Sequence, residues 1–244
     1  MITTLRPNDR RVLELVGRVR FCTQDQISRY LDMSRALVTR HLSQLEKGGL
    51  VDRDSNIRPH IFWLTTKGAR VMDIKLSGAK RMHSYHVRRH YCHRNEFELQ
   101  SLEHNPHFKY LSRNELLAHG LYPSHAEHAA AEQLLDYSLI LIDDYLMNSD
   151  RILVSWTRQH LKNSRSKALA GKPVRRWYNV TNRLTVVSTD SINLQKHKRY
   201  CDKLTELKHR LEQQPGLSTA FDKKNVRAFI QPDFVYLEPL WVVS

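Results

Sequence analysis

No stretch of this 244-residue chain approaches the roughly 18 unbroken apolar residues that a membrane-spanning helix needs, so no membrane segment is expected. Its opening, Met1 to Arg11, also lacks the apolar core of a secretory leader, and the expected location is the cytoplasm. Glycine is scarce, at eight residues, and no G-x-G-x-x-G, Walker loop or G-x-S-x-G occurs. That removes the usual phosphate-cradling loops and the strained nucleophile turn of many hydrolases. The three cysteines, Cys22, Cys92 and Cys201, are odd in number, widely spaced and outside any paired C-x-x-C, so reduced thiols are expected. Hydrophobic residues make up 41% and charged residues 26%, the ordinary balance of a chain that buries a core.

Charge is plentiful and unevenly spread. The net formal charge is +14. Residues 1–94 hold 19 Lys/Arg against 8 Asp/Glu, residues 95–150 hold 2 against 10, and residues 151–210 hold 15 against 3. Two basic blocks thus flank an acidic one. Basic surface of this density suits a polyphosphate partner, because neutralising phosphates releases condensed counterions.

The first block carries three helical patterns in succession. Val12, Leu13, Leu15 and Val16 recur at helical spacing from Asn8 to about Val19, behind Pro7. Thr23 followed three residues later by Gln26 is a capping box that opens a second, short helix. Asp32 and Met33 make a turn, and Ser34 caps a third helix running to about Lys47. Leu37, Val38, Leu42 and Leu45 are expected to face inward, leaving Arg35, Thr39, Arg40, His41 and Gln44 on the other faces. Gly48 and Gly49 end that helix. Residues 50–53 and 61–64 then read as two short strands around a polar turn with Arg58 and His60 near its tip, and Thr66 starts another helix.

The run from Ser34 through Leu-x-x-Gly-Gly-Leu-Val, an aromatic strand and Leu-Thr-x-x-Gly resembles the winged-helix repressors of the MarR-like kind over about residues 8–75. The resemblance implies a winged helix-turn-helix that binds double-stranded DNA. A major groove about 12 Å wide admits one helix, so the third helix would present side chains to base edges. Arg35 and Arg40 suit guanine and Gln44 suits adenine, with Ser34 and Thr39 beside them. Arg53, Arg58 and Lys67 are placed for phosphate or minor-groove contacts. The alternative is a winged helix that binds protein, against which the local positive charge argues.

Residues 81–94 are read as a basic, histidine-rich linker helix. His83, His86, His90 and His93 are spaced to share one face. Arg81, Arg88, Arg89 and Arg94 crowd the same segment and would repel a divalent cation, so a packing or phosphate-touching face is preferred to a zinc site. Residues 95–244 form the expected second domain. Helices are expected over 95–102 and 112–119, strands over 137–142, 151–156 and 184–187, a basic helix over about 191–213, and one or two closing strands from Phe229 and Phe234. The whole is an α+β chain, an N-terminal winged helix-turn-helix followed by an α/β domain with a central mixed sheet.

The order of elements, with His90-Tyr-Cys-His-Arg-Asn-Glu-Phe-Glu-Leu99, the helix around Glu115 and Leu135-Asp136 at a strand start, resembles the replication–relaxation family. That family includes the MobC-type plasmid mobilisation proteins. The resemblance implies a restriction-endonuclease-like second domain that uses Mg²⁺ or Mn²⁺ to nick or open one strand at a transfer origin. It makes Asp136 the first metal ligand and Glu115 a helper. One departure stands out: the following strand, 151–156, carries no acid, so Asp143, Asp144 or Asp150 would have to substitute, and Arg158 or Lys162 would replace the family's lysine. Acids in a polar turn are otherwise simply solvated. The histidine-hydrophobic-histidine motif of the commonest plasmid relaxases is absent.

Residues 159–176 carry six Lys/Arg, among them Arg175 and Arg176, and no acid, as an arm over the DNA backbone would. Trp177 and Tyr178 follow, either as core residues or as rings that stack on single-stranded DNA at a nick. The expected partners are double-stranded DNA, single-stranded DNA at the nick and other mobilisation proteins. The alternatives are a non-enzymatic transcriptional regulator or a plasmid replication initiator.

Overall fold

The computed structural model describes residues 5–74, 84–111, 127–131, 136–143, 183–213 and 233–241. The chain divides into two compact units, Met1–Gln100 with Pro239–Ser244, and Ser101–Glu238.

Unit one is a winged helix. Helix α1 (Pro7–Val19) starts on Pro7, whose missing N–H is no loss in a first turn, and buries Val12, Leu13, Leu15, Val16 and Val19 along one stripe. Strand β1 (Cys22–Thr23) leads into α2 (Gln24–Leu31) through the expected capping box: Gln26 N donates to Thr23 Oγ1 at 3.3 Å and Thr23 N donates to Gln26 Oε1 at 3.1 Å. Helix α3 (Arg35–Lys47) is capped by Ser34, whose hydroxyl oxygen accepts from Leu37 N. Gly49, at φ 66°, turns the chain out of α3 in the left-handed region.

Strands β2 (Val51–Asp54) and β3 (Ile61–Leu64) form the wing hairpin, and β1 joins it in an antiparallel sheet of order β1-β3-β2. Val51 faces Leu64 and Cys22 faces Phe62 in register. Helix α4 (Thr66–Val71) follows. A Cβ on Gly68 would lie 2.0 Å from the Leu50 carbonyl oxygen, so this close approach of α4 to the wing requires glycine.

Helix α5 (Tyr85–His104) runs without interruption through the point where a linker was expected to give way to a second domain at residue 95. Five consecutive residues, Asn95 to Leu99, which were expected to open the second domain, are buried and fall within unit one. Leu240 and Trp241 return to pack with Phe21, Ile61 and Cys92, and the Trp241 indole N–H donates to the Pro59 carbonyl at 3.2 Å.

Unit two is built on a five-stranded mixed sheet of order β4-β5-β6-β7-β8, in agreement with the expected mixed sheet. Strands β4 (Phe108–Tyr110), β5 (Glu127–Ala131) and β6 (Asp136–Asp143) are antiparallel neighbours. Strands β7 (Arg183–Ser188) and β8 (Asp233–Tyr236) extend the sheet parallel to β6. Helix α6 (Ser191–Gln213) packs on β7 and β8, with Val186, Cys201, Leu204 and Phe234 in contact. Asp190 caps it by accepting from Ile192 N at 2.8 Å. The helix expected at 112–119, the strand expected at 151–156 and Phe229 lie outside the described residues.

Candidate nucleic-acid interface

The outer face of α3 is set by what its inner face must bury. Val38, Leu42 and Leu45 pack inward, and His41 joins them. His41 was expected on an outer face; it is buried and corrects that reading. Its Nδ1 lies 2.7 Å from Asp9 Oδ1 of α1, and both side chains are buried. The position is dictated by spacing, since 38, 41, 42 and 45 fall on one stripe, and Asp9 supplies the partner that a buried imidazole needs. Leu37, expected inward, is half-buried.

With that face fixed, Ser34, Arg35, Thr39, Arg40 and Gln44 are all exposed, as expected of a reading helix. Arg40 and Gln44 are one turn apart, and their side chains have no hydrogen-bond or ion-pair partner among the described residues. Arg35 is held differently. Its Nε and Nη2 both engage the Asp25 carboxylate of α2, the Nη2 bond being 2.6 Å. Gln24 Nε2 donates to Thr39 Oγ1 at 2.6 Å and to the Arg35 carbonyl at 3.0 Å, while the Thr39 hydroxyl donates to the same carbonyl at 2.8 Å. The first turns of α2 and α3 are therefore tied together by four side chains.

On the wing, Arg58 is exposed with no partner among the described residues, whereas Arg53 pairs with Glu46 at 3.0 Å. Lys67 Nζ donates to the Gly48 carbonyl at 2.8 Å, which places it beside the C-terminus of α3. Asp25, Gln24, Glu46 and Asp9 are the participants that sequence reasoning missed. Asp25 and Gln24 had been read only within the capping box; partners on separate helices leave no short spacing to find.

A second face of the winged helix, formed by α1, α2 and the wing, holds α5. Glu98 accepts from Arg18 Nη1 at 3.1 Å and from the Tyr30 hydroxyl at 2.7 Å. Glu96 pairs with Arg29 and accepts from Gln26 Nε2 at 3.3 Å; the same Gln26 amide donates to the Cys92 carbonyl at 2.7 Å. Asn95 Nδ2 donates to the Phe21 carbonyl at 2.7 Å. Arg88 pairs with Asp54 of the wing at 2.8 Å and lies over the Trp63 ring.

A model of the MarR family matches residues 3–57. Unit one carries a MarR-like winged helix. The match spans α1, β1, α2, α3 and β2, which are the elements that build the exposed reading face. No curated protein sequence matches the chain. A DNA-binding architecture is thereby supported for the N-terminal unit.

The remaining site residues expected from the sequence fall in unit two. Glu115, Asp144, Lys162, Arg175 and Arg176 lie outside the described residues, as do Asp150 and Arg158. Asp136 opens β6 and Asp143 closes it. Their α-carbons are about 23 Å apart at about 3.3 Å per residue, so one ion cannot draw ligands from both, since metal–oxygen bonds to Mg²⁺ are only about 2.1 Å. Asp143 lies in register with Ser188, and Ser188 with Tyr236, at the carboxyl ends of the three parallel strands. Among the described residues no three His, Cys, Asp or Glu side chains are grouped to hold a metal ion. The described cysteines are also unsuited to nucleophilic work. Burial holds the Cys22 and Cys92 thiols well above their ordinary range, and Cys201 is pushed up to about 12 by burial, with Asp202 adding to it. Among the described residues, no helix is long and apolar enough to cross a membrane.

Proposed function

We propose that this chain is a sequence-specific binder of double-stranded DNA that inserts α3 into the major groove and lays the wing along the backbone. The observation that carries this reading is the outward pair Arg40 and Gln44, one turn apart and unpartnered, on the helix that the MarR-like architecture presents to DNA. Arginine makes two hydrogen bonds to guanine and glutamine two to adenine, so each suits base reading. Arg58 and Lys67 would contact phosphates. Binding measured by fluorescence anisotropy against a selected duplex and a scrambled one, with wild type and Arg40→Ala, tests it. Equal affinity for both duplexes in the wild type would sink the reading.

Within that function we read the second unit as acting on the bound DNA, as a plasmid mobilisation or relaxation protein would. The basic block at 151–210 and the acids at both ends of β6 favour this. Mg²⁺ or Mn²⁺, held at one of those ends, would activate water or position the scissile phosphate. Asp143, at the carboxyl ends of parallel strands where open sheets commonly bind ligands, is as good a candidate as Asp136. A transcriptional regulator is the second reading, favoured by the MarR family match. The test is a nicking assay on supercoiled DNA containing the selected site, with either metal, with EDTA, and with Asp136→Asn and Asp143→Asn separately. Metal-dependent open circles, lost in one variant, support mobilisation and locate the site. Salt-sensitive binding with no nicking leaves the regulator or a replication initiator.

A further inference from the structure

The reading face contains an acid where a DNA-binding surface would be expected to exclude one. Asp25 stands at the second position of α2, exposed, directly against Arg35 of α3. We propose that Asp25 is a positioning residue that holds Arg35 for a two-bond contact with a single guanine; this rests on the DNA-binding reading above.

The donor count supports it. A guanidinium carries five N–H groups in one plane. Asp25 takes the side edge, Nε and one N–H of Nη2, which leaves the end edge, one N–H on Nη2 and one on Nη1, pointing away from the carboxylate. Two parallel donors on that edge match O6 and N7 of guanine. The backbone beneath is fixed as well, because the Arg35 carbonyl accepts from both Gln24 and Thr39. A free arginine at this place would also bind any phosphate. Paired with Asp25 it is nearly neutral as a unit, so loose attachment to the backbone is weakened while the directional contact with a base remains.

A merely structural Asp25 would act through α2, where an acid in the first turn favours the helix, and its loss would move the melting temperature without touching base preference. The two roles therefore separate in one experiment. The full chain and its Asp25→Asn, Asp25→Glu, Arg35→Ala and Asp25→Asn/Arg35→Ala variants are each used to select binding sites from a randomised duplex library. The wild type should enrich a site with one guanine whose preference vanishes in Arg35→Ala. Asp25→Asn should lower the preference at that same base pair about tenfold, leave the other positions intact, and raise affinity for random duplex about two- to fivefold. Asp25→Glu, which keeps the carboxylate, should recover part of the preference. The double variant should match Arg35→Ala alone. An unchanged preference in Asp25→Asn, or an equal loss at every position, overturns the inference while leaving DNA binding in place. A wild type that enriches no site at all overturns the DNA reading and this inference with it.

Discussion

The winged helix meets its surroundings on two faces made of the same kinds of side chain. On the reading face Arg35 pairs with Asp25, the side chains being 73% and 51% exposed. On the face that holds α5, Arg18 and Arg29 pair with Glu98 and Glu96, whose side chains are only 4% and 11% exposed. Chemically these are all arginine–carboxylate pairs. Burial gives them different work. In water an ion pair contributes at most about 1 kcal/mol, so Asp25 and Arg35 add little to stability and keep free hydrogen-bonding edges for a ligand. A buried carboxylate has no water to turn to, so Glu98 needs both Arg18 and Tyr30, and α5 is held in one position. One face is built to exchange partners and the other to keep them.

The largest test of that contrast lies at the inner side of α3. His41→Ala should cost about 3 kcal/mol in a urea denaturation of the full chain, because it opens a cavity and strips buried Asp9 of its partner. A loss below about 1 kcal/mol would mean that the reading helix is not anchored through this pair. Next comes the α5 face: Glu98→Ala should lower stability by about 2 kcal/mol, with DNA affinity of the folded protein unchanged. If it weakened DNA binding without destabilising the fold, the separation of the two faces would be wrong.

Arg40→Ala should reverse the pattern. It should leave stability within about 0.5 kcal/mol of wild type, as surface changes usually do. Specific-site affinity should fall by about 10- to 100-fold, the worth of one good base contact. The smallest effect is expected at the wing tip, where Arg58→Ala should weaken all sequences alike and reduce the slope of log affinity against log salt by about one. A sequence-dependent loss there would show instead that the wing reads bases.

How much of this was legible beforehand follows the range of the interactions. The Thr23–Gln26 capping box, the Ser34 cap, the glycine turn at the end of α3 and the hairpin of β2 and β3 are all local, and each was read from residues a few positions apart. The same holds for α6, whose basic amphipathic run was expected within a residue or so of its observed ends. Strand β5, Glu-His-Ala-Ala-Ala, was not foreseen, since alanine and glutamate are poor strand formers and only pairing with β4 and β6 makes it one. Of the residues expected on the outer faces of α3, Arg35, Thr39, Arg40 and Gln44 are exposed and His41 is not. The acids that manage them were not identified, because Asp9 lies 32 residues from His41 and Asp25 ten from Arg35.

Sequence by itself determined where α1, α2 and α3 begin and end, most of the apolar stripe of each, and that the chain carries two basic blocks. Those properties depend on periodicity, capping and composition, which neighbouring residues express without help. Tertiary structure decided which arginines are spoken for and which are left to a ligand. That choice turns on burial and on distances of a few ångströms between side chains from different helices, and neither quantity exists until the helices have packed.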